Sequence, residues 1–118
     1  MAKIKGEDRK GKVILVIGSG FSFHNMGAFS RDGNINKDQD NELFQEWLIE
    51  TCAAPSTQEE RERRLIHWEE APAARYCHPR EEHLLPLHVC VGIAGENSRA
   101  EKIFDDYILG KRAVAFQW

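Results

Sequence analysis

The chain has 118 residues, enough for one domain with its own core, and its 42% hydrophobic and 30% charged content is ordinary for a soluble globular protein. A formal charge of -3 argues against nucleic acid as a partner, because such binders present a basic face. No apolar run approaches the ~20 residues of a membrane span and no signal-peptide pattern opens the chain, so no membrane partner is expected. Three unevenly spaced cysteines, Cys52, Cys77 and Cys90, do not describe a disulfide framework and point to a reducing, cytoplasmic setting.

The first dozen residues carry Lys3, Lys5, Arg9, Lys10 and Lys12 without periodicity and read as a solvated lead-in. Val13 to Ile17 form a continuous, largely β-branched run, the pattern of a strand buried on both faces. It opens into Gly18-Ser19-Gly20-Phe21-Ser22-Phe23-His24-Asn25. Strand and glycine turn together are how an open α/β sheet delivers a side chain to its carboxyl edge. Residues 27 to 40 are a loop by composition. Asn41 can cap the next helix, in which Leu43, Phe44, Trp47, Leu48 and Cys52 make an apolar stripe that Pro55 ends. Ser56 and Glu59 have capping-box spacing for a second helix. Its charges from Glu59 to Arg64 read as a solvated surface, and Leu65 and Trp68 as its buried side.

A second loop, 69 to 77, contains Pro72. Pro79 suits the first position of a third helix, and Glu81 and Glu82 suit its positive first turn. That helix should run through Leu84, Leu85, Val89 and Val91 towards Gly92 or Gly95, bent near Pro86. Phe104 to Leu109 reads as a short strand or a helical turn, and Ala113 to Phe116 as a terminal strand. The expected fold is α/β, a few-stranded mixed sheet with about three helices, in a single domain over 1–118. One strong strand and two weaker ones are few for a sheet, which implies a portion of an α/β domain.

The densest chemistry lies at His78-Pro79-Arg80-Glu81-Glu82-His83, which runs directly into apolar sequence. Ionisable groups so placed are costly unless paired, solvated or bound to metal. His78, His83 and His88 recur every five residues, roughly 500° around a helix, so they do not share one face. His83 is the better ligand candidate. His78 has a role as a cap or loop residue, and His67 and His88 read as structural. Cys77 and Cys90 add no Cys-x-x-Cys pair for a zinc finger, and adjacent Cys77 and His78 should point apart. Phe23 stands where a dinucleotide fingerprint needs its third glycine. On its own chemistry His24 reads equally as a site residue or as part of a turn.

Three segments carry a resemblance: Gly18 to Met26, Trp68 through Ala71-Pro72-Ala73-Ala74-Arg75, and His78 to Leu87. In order and spacing they resemble the second half of class III extradiol ring-cleavage dioxygenases of the DOPA 4,5-dioxygenase type. The likeness covers most of residues 12 to 95, and Gly110 to Phe116 also fits. It implies the carboxyl-terminal portion of that fold, acting on a catechol-type small molecule with O2 at a non-haem metal, Fe(II) or Zn(II). It implies His24 as the catalytic acid/base, a task for which imidazole is suited by a pKa near neutrality. Ser22 and Asn25 become substrate contacts, and His83 a metal ligand with Glu82 and His78 as alternatives.

The likeness also implies that two further metal histidines come from a first half with no counterpart here, as no histidine precedes His24. A complementing chain or a homo-oligomeric mate would then supply the absent strands. The other reading is a non-catalytic remnant that binds ligand or oligomerises through exposed sheet edges.

Overall fold

A computed structural model describes residues 2–7, 11–29, 38–97 and 99–118. In chain order its elements are β1 (Ala2–Glu7), β2 (Val13–Gly18), α1 (Gln39–Ala53), α2 (Gln58–Ile66), α3 (Ala74–Cys77), α4 (Leu85–Ala94), β3 (Glu101–Ile108) and β4 (Lys111–Gln117). Short 3-10 turns lie at Met26–Ala28, Trp68–Glu70 and Gly95–Asn97. The strands form one mixed sheet in the order β2-β1-β4-β3. β1 pairs antiparallel with β2 and parallel with β4, the latter only through Ala2 opposite Phe116 and Lys3 opposite Gln117. β3 and β4 are an antiparallel hairpin closed by Leu109 and Gly110, whose φ values of 50° and 80° suit a two-residue turn of the primed class.

The α/β class and the mixed sheet are as expected, with, among the described residues, three helices of nine or more residues and one single turn, α3, inside the segment read as a loop. The helices lie against one face of the sheet: α1 on β4 and β3, α4 on β1 and β2. Between them a core gathers Phe23, Phe44, Leu48, Cys52, Leu65, Trp68, Leu84, Leu87, Val91, Val114 and Phe116. Phe104 falls within a strand, which resolves that open reading, and the terminal strand lies where expected.

Several local expectations are corrected. The lead-in is not irregular, since its residues 2–7 are β1, paired on two sides; Ala2, Ile4 and Gly6 alternate with Lys3, Lys5 and Glu7, the period of two that a strand shows. The strand at Val13 to Ile17 exists but is not buried on both faces. Among the described residues it ends the sheet, and Val13, Leu15 and Ile17 are 60%, 51% and 60% exposed.

Asp38, not Asn41, caps α1, its carboxylate accepting the N–H groups of Asp40 and Asn41. Asn41 is buried instead and joins α1 to β4 by two bonds: its Nδ2 donates to the Arg112 carbonyl at 3.0 Å and its Oδ1 accepts the Arg112 N–H at 2.8 Å. Thr57 rather than Ser56 caps α2, accepting from Glu60 N–H. Within the charged run Arg61 is buried, its Nε donating to the Thr51 carbonyl at 3.1 Å. The third long helix begins at Leu85, so Pro86 sits in its first turn and bends nothing, while Pro79, Glu81 and Glu82 precede it. Most of the predicted loop 27 to 40 lies outside the described residues. Among those residues no helix is long and apolar enough to cross a membrane.

Candidate functional site

β2 ends at Gly18, and the chain from Ser19 to Asn25 passes beside the middle of β4, at Val114, into the core. Close approach explains its two glycines. A Cβ on Gly18 would stand 2.8 Å from the Cys90 sulfur and 2.9 Å from the Pro86 carbonyl oxygen, and one on Gly20 would overlap the His83 carbonyl. Those contacts clamp the turn from Glu81 to Leu84 over the Gly18–Gly20 backbone. That turn is held by the N–H groups of Leu84 and Leu85, both donating to the Glu81 carbonyl.

The residues after the glycines are fixed by backbone bonds. Ser22 is buried; its carbonyl accepts Gln45 Nε2 at 2.8 Å and His78 Nε2 at 2.9 Å, and its hydroxyl accepts the Val114 N–H at 2.9 Å. Phe23 is fully buried, edge-on to Phe29 and Tyr76. His24 N–H donates to the Cys77 carbonyl at 2.8 Å, and Asn25 Nδ2 to the Tyr76 carbonyl at 2.9 Å. Both strap the segment to α3. Tyr76 is itself anchored by its hydroxyl on Asp38, which also pairs with Lys111 at 3.2 Å.

The outcome is a pair of imidazoles, 59 residues apart in sequence, that lie face to face. The ring centroids of His24 and His83 are 3.5 Å apart and the planes 16° from parallel. His24 is half-buried and His83 exposed, so solvent reaches the pair.

His78 does not join them. It is wholly buried between Phe44 and Trp68, with ring centroids 5.4 and 6.4 Å away. Because its partner is a carbonyl, Nε2 must carry the proton, and Nδ1 has no partner. Burial pulls its pKa down to about 4, aided by the charges of His24, His83 and His88 and opposed by the Ser22 carbonyl. His88 is half-buried with Nε2 on the Leu65 carbonyl at 2.7 Å, a packing residue as its spacing suggested. Glu82 is exposed.

Arg75 organises the surface beside the pair. Its guanidinium lies 4.7 Å from the Trp68 ring centroid and bridges Glu69 at 2.8 Å and Glu81 at 3.2 Å. Gln45 was not legible as a site residue, being one polar position on an otherwise ordinary helix; its amide is what holds the Ser22 carbonyl from the α1 side.

Ser22 and Asn25, expected beside a substrate, have their polar groups engaged with the protein's own backbone. The space between Ser22, His83 and Leu84 is a void of about 10 Å3, no larger than a water needs. A larger apolar groove of about 260 Å3 opens on the other side of Ser22, walled by Gly20, Phe21, Phe104, Ile108 and Ala115.

Whether these groups fit a metal centre follows from the donor set. Among the described residues no three His, Cys, Asp or Glu side chains come together to hold an ion. Two stacked imidazoles direct their in-plane lone pairs side by side, and a facial three-ligand centre needs a third donor. By themselves these residues do not fit such a centre. The cysteines add no ligand: Cys52, Cys77 and Cys90 are free and buried, with burial pushing the thiols of Cys52 and Cys77 up to about 12.

No protein-family model matches the chain. It is 36% identical over 100 residues to a 4,5-DOPA dioxygenase extradiol of Beta vulgaris, a match covering 83% of this chain and 35% of that protein. It is 28% identical over 98 residues to a 4,5-DOPA dioxygenase extradiol-like protein of Schizosaccharomyces pombe, covering 81% of this chain and 32% of that one. The chain thus spans about a third of the length of the relatives it matches. Over that shared third, the chain is similar in sequence to proteins named as 4,5-DOPA extradiol dioxygenases.

Proposed function

We propose that this chain carries one part of an extradiol ring-opening site, corresponding to the carboxyl-terminal portion of such an enzyme, and that a catechol such as DOPA is the class of molecule it meets. The observation that carries the reading is the stacking of His24 on His83, which brings the resemblance's acid/base residue and its metal ligand together from distant positions. In this reading His24 holds or accepts the proton of a catechol hydroxyl. Its ring is oriented by the backbone bond to Cys77 and by the stack itself. Were the centre completed by donors from further polypeptide, His83 would be the residue here to hold Fe(II) or Zn(II), which would supply the Lewis-acid and O2 chemistry. Ser22, His78 and Gln45 act by fixing the backbone that presents His24.

Arg75 steadies the turn that carries His83 through its bridge to Glu81. A non-catalytic, ligand-binding role is the second reading, and the apolar groove beside Phe21 and Phe104 favours it.

The two are separated by anaerobic loading with Fe(II) or Zn(II), metal analysis after desalting, and oxygen uptake with DOPA. The enzyme reading expects metal retention and ring-opening only once a polypeptide equivalent to the unmatched part of the relatives is added, and expects both to fall in His83→Ala. Metal content of that mixture identical with the wild type and with His83→Ala would refute it.

A further inference from the structure

We infer that a second copy of this chain pairs along the free edge of β2, making a two-fold dimer with one continuous eight-stranded sheet. The inference stands on the fold and is independent of the ring-opening proposal. Among the described residues the sheet has two outer strands, and they differ. β3 carries Glu101, Lys102, Asp105 and Asp106, the charges that keep an edge from pairing with another chain. β2 carries no charge and no proline from Val13 to Gly18, and its edge is free among the described residues.

The helix beside that edge is bare in the matching place. On α4, Cys90 and Pro86 face Gly18 of β2, while Leu87 is buried beside Leu48 and Phe116 and Val91 beside Leu65. Leu85, Val89 and Ile93 follow one another at every fourth residue, on the flank turned about 100° from Cys90 and away from Val91. They are 41%, 59% and 51% exposed, an apolar row on the outer side of the helix, above the β2 edge.

Distances fit the pairing. α4 rests on both β1 and β2. Antiparallel pairing of β2 with β2 of a second copy sets the two α4 helices two strand spacings apart, about 10 Å. That is the separation of packed helices, ~8–10 Å, so the two Leu85–Val89–Ile93 rows would meet. On the opposite face the Val13, Leu15 and Ile17 rows become cross-strand neighbours. The strand edge and these side chains offer on the order of 600 Å2 per copy, the lower end of specific interfaces. An isologous contact uses up the β2 edge in both copies, and the charged β3 edges stop further growth.

Sedimentation velocity of the full chain from micromolar to a few hundred micromolar should show a shift from 13.5 kDa to twice that mass and no further. Val89→Glu and Leu15→Lys should each weaken the dimer at least tenfold. Both sites are exposed, so far-UV dichroism and the thermal midpoint of the monomer should be unchanged. Val89→Cys adds a reactive thiol to a chain whose own cysteines are buried, and a short bis-maleimide should link two copies through it. A monomer throughout, assembly beyond the dimer, or a dimer indifferent to both charges and not linked through position 89 would overturn the inference.

Discussion

His78 makes the stability of this protein depend on pH in a window where few other groups contribute. Its ring is fully buried, its Nδ1 has no partner, and burial holds its pKa at about 4 against an ordinary 6.5. Between those values the unfolded chain binds the proton that the folded chain refuses, so stability rises with pH and is lost as pH falls. Integrating that difference from pH 7.5 to 5.0 gives about 2 kcal/mol, out of a ceiling near 3 kcal/mol at lower pH. The groups acting on the ring are His24, His83 and His88, which oppose its charging, and the Ser22 carbonyl, which favours it. Carboxylates held low, such as Asp105 at about 2 beside Arg112, stay ionised across this range and do not mimic the effect. His78→Gln keeps a donor for the Ser22 carbonyl but cannot titrate. Urea unfolding at both pH values should show the wild type losing about 2 kcal/mol more than His78→Gln. Equal losses in the two proteins would refute the buried, neutral imidazole.

Other substitutions probe the same architecture. Gly20→Ala puts a methyl against the His83 carbonyl, so the turn must move; it should cost about 2 kcal/mol and separate the stacked rings, read by urea unfolding and histidine ring resonances. Asn41→Ala strips both Arg112 backbone groups of their partner and should cost about 2–4 kcal/mol in the same unfolding assay. The buried thiols of Cys52, Cys77 and Cys90 should ignore Ellman's reagent in the native protein and react together on unfolding.

Much of this fold is legible in the sequence, and the failures share a cause. Val13 to Ile17 announces a strand, yet a continuous apolar run states only what environment suits it. Whether a neighbour lies beside β2 is decided by the rest of the sheet. β1 does alternate, Ala2, Ile4 and Gly6 against Lys3, Lys5 and Glu7, but its density of charge reads as a solvated lead-in, and one of its pairing partners, β4, lies at the other end of the chain. The caps of α1 and α2 are displaced by three and one residues because several polar residues compete locally. The contest at α1 is settled by Arg112, which captures Asn41 from 71 positions away. Pro86 belongs to the start of α4 because the turn from Glu81 to Leu84 must first cross Gly20.

At the candidate site, His24 and His83 stood out by residue type and by resemblance, but their mutual distance depends on glycine clearances and backbone bonds that no spacing rule contains. The commitment of Ser22 and Asn25 to the backbone was hidden for the same reason.

The account rests on the face-to-face contact of two imidazoles, and proton NMR can observe it. In the folded chain, with resonances assigned through His24→Gln and His83→Gln, the ring protons of the two histidines should exchange strong nuclear Overhauser effects, as expected for rings 3.5 Å apart. Ring protons of both residues visible in a folded sample, with no cross-peak between them, would contradict it.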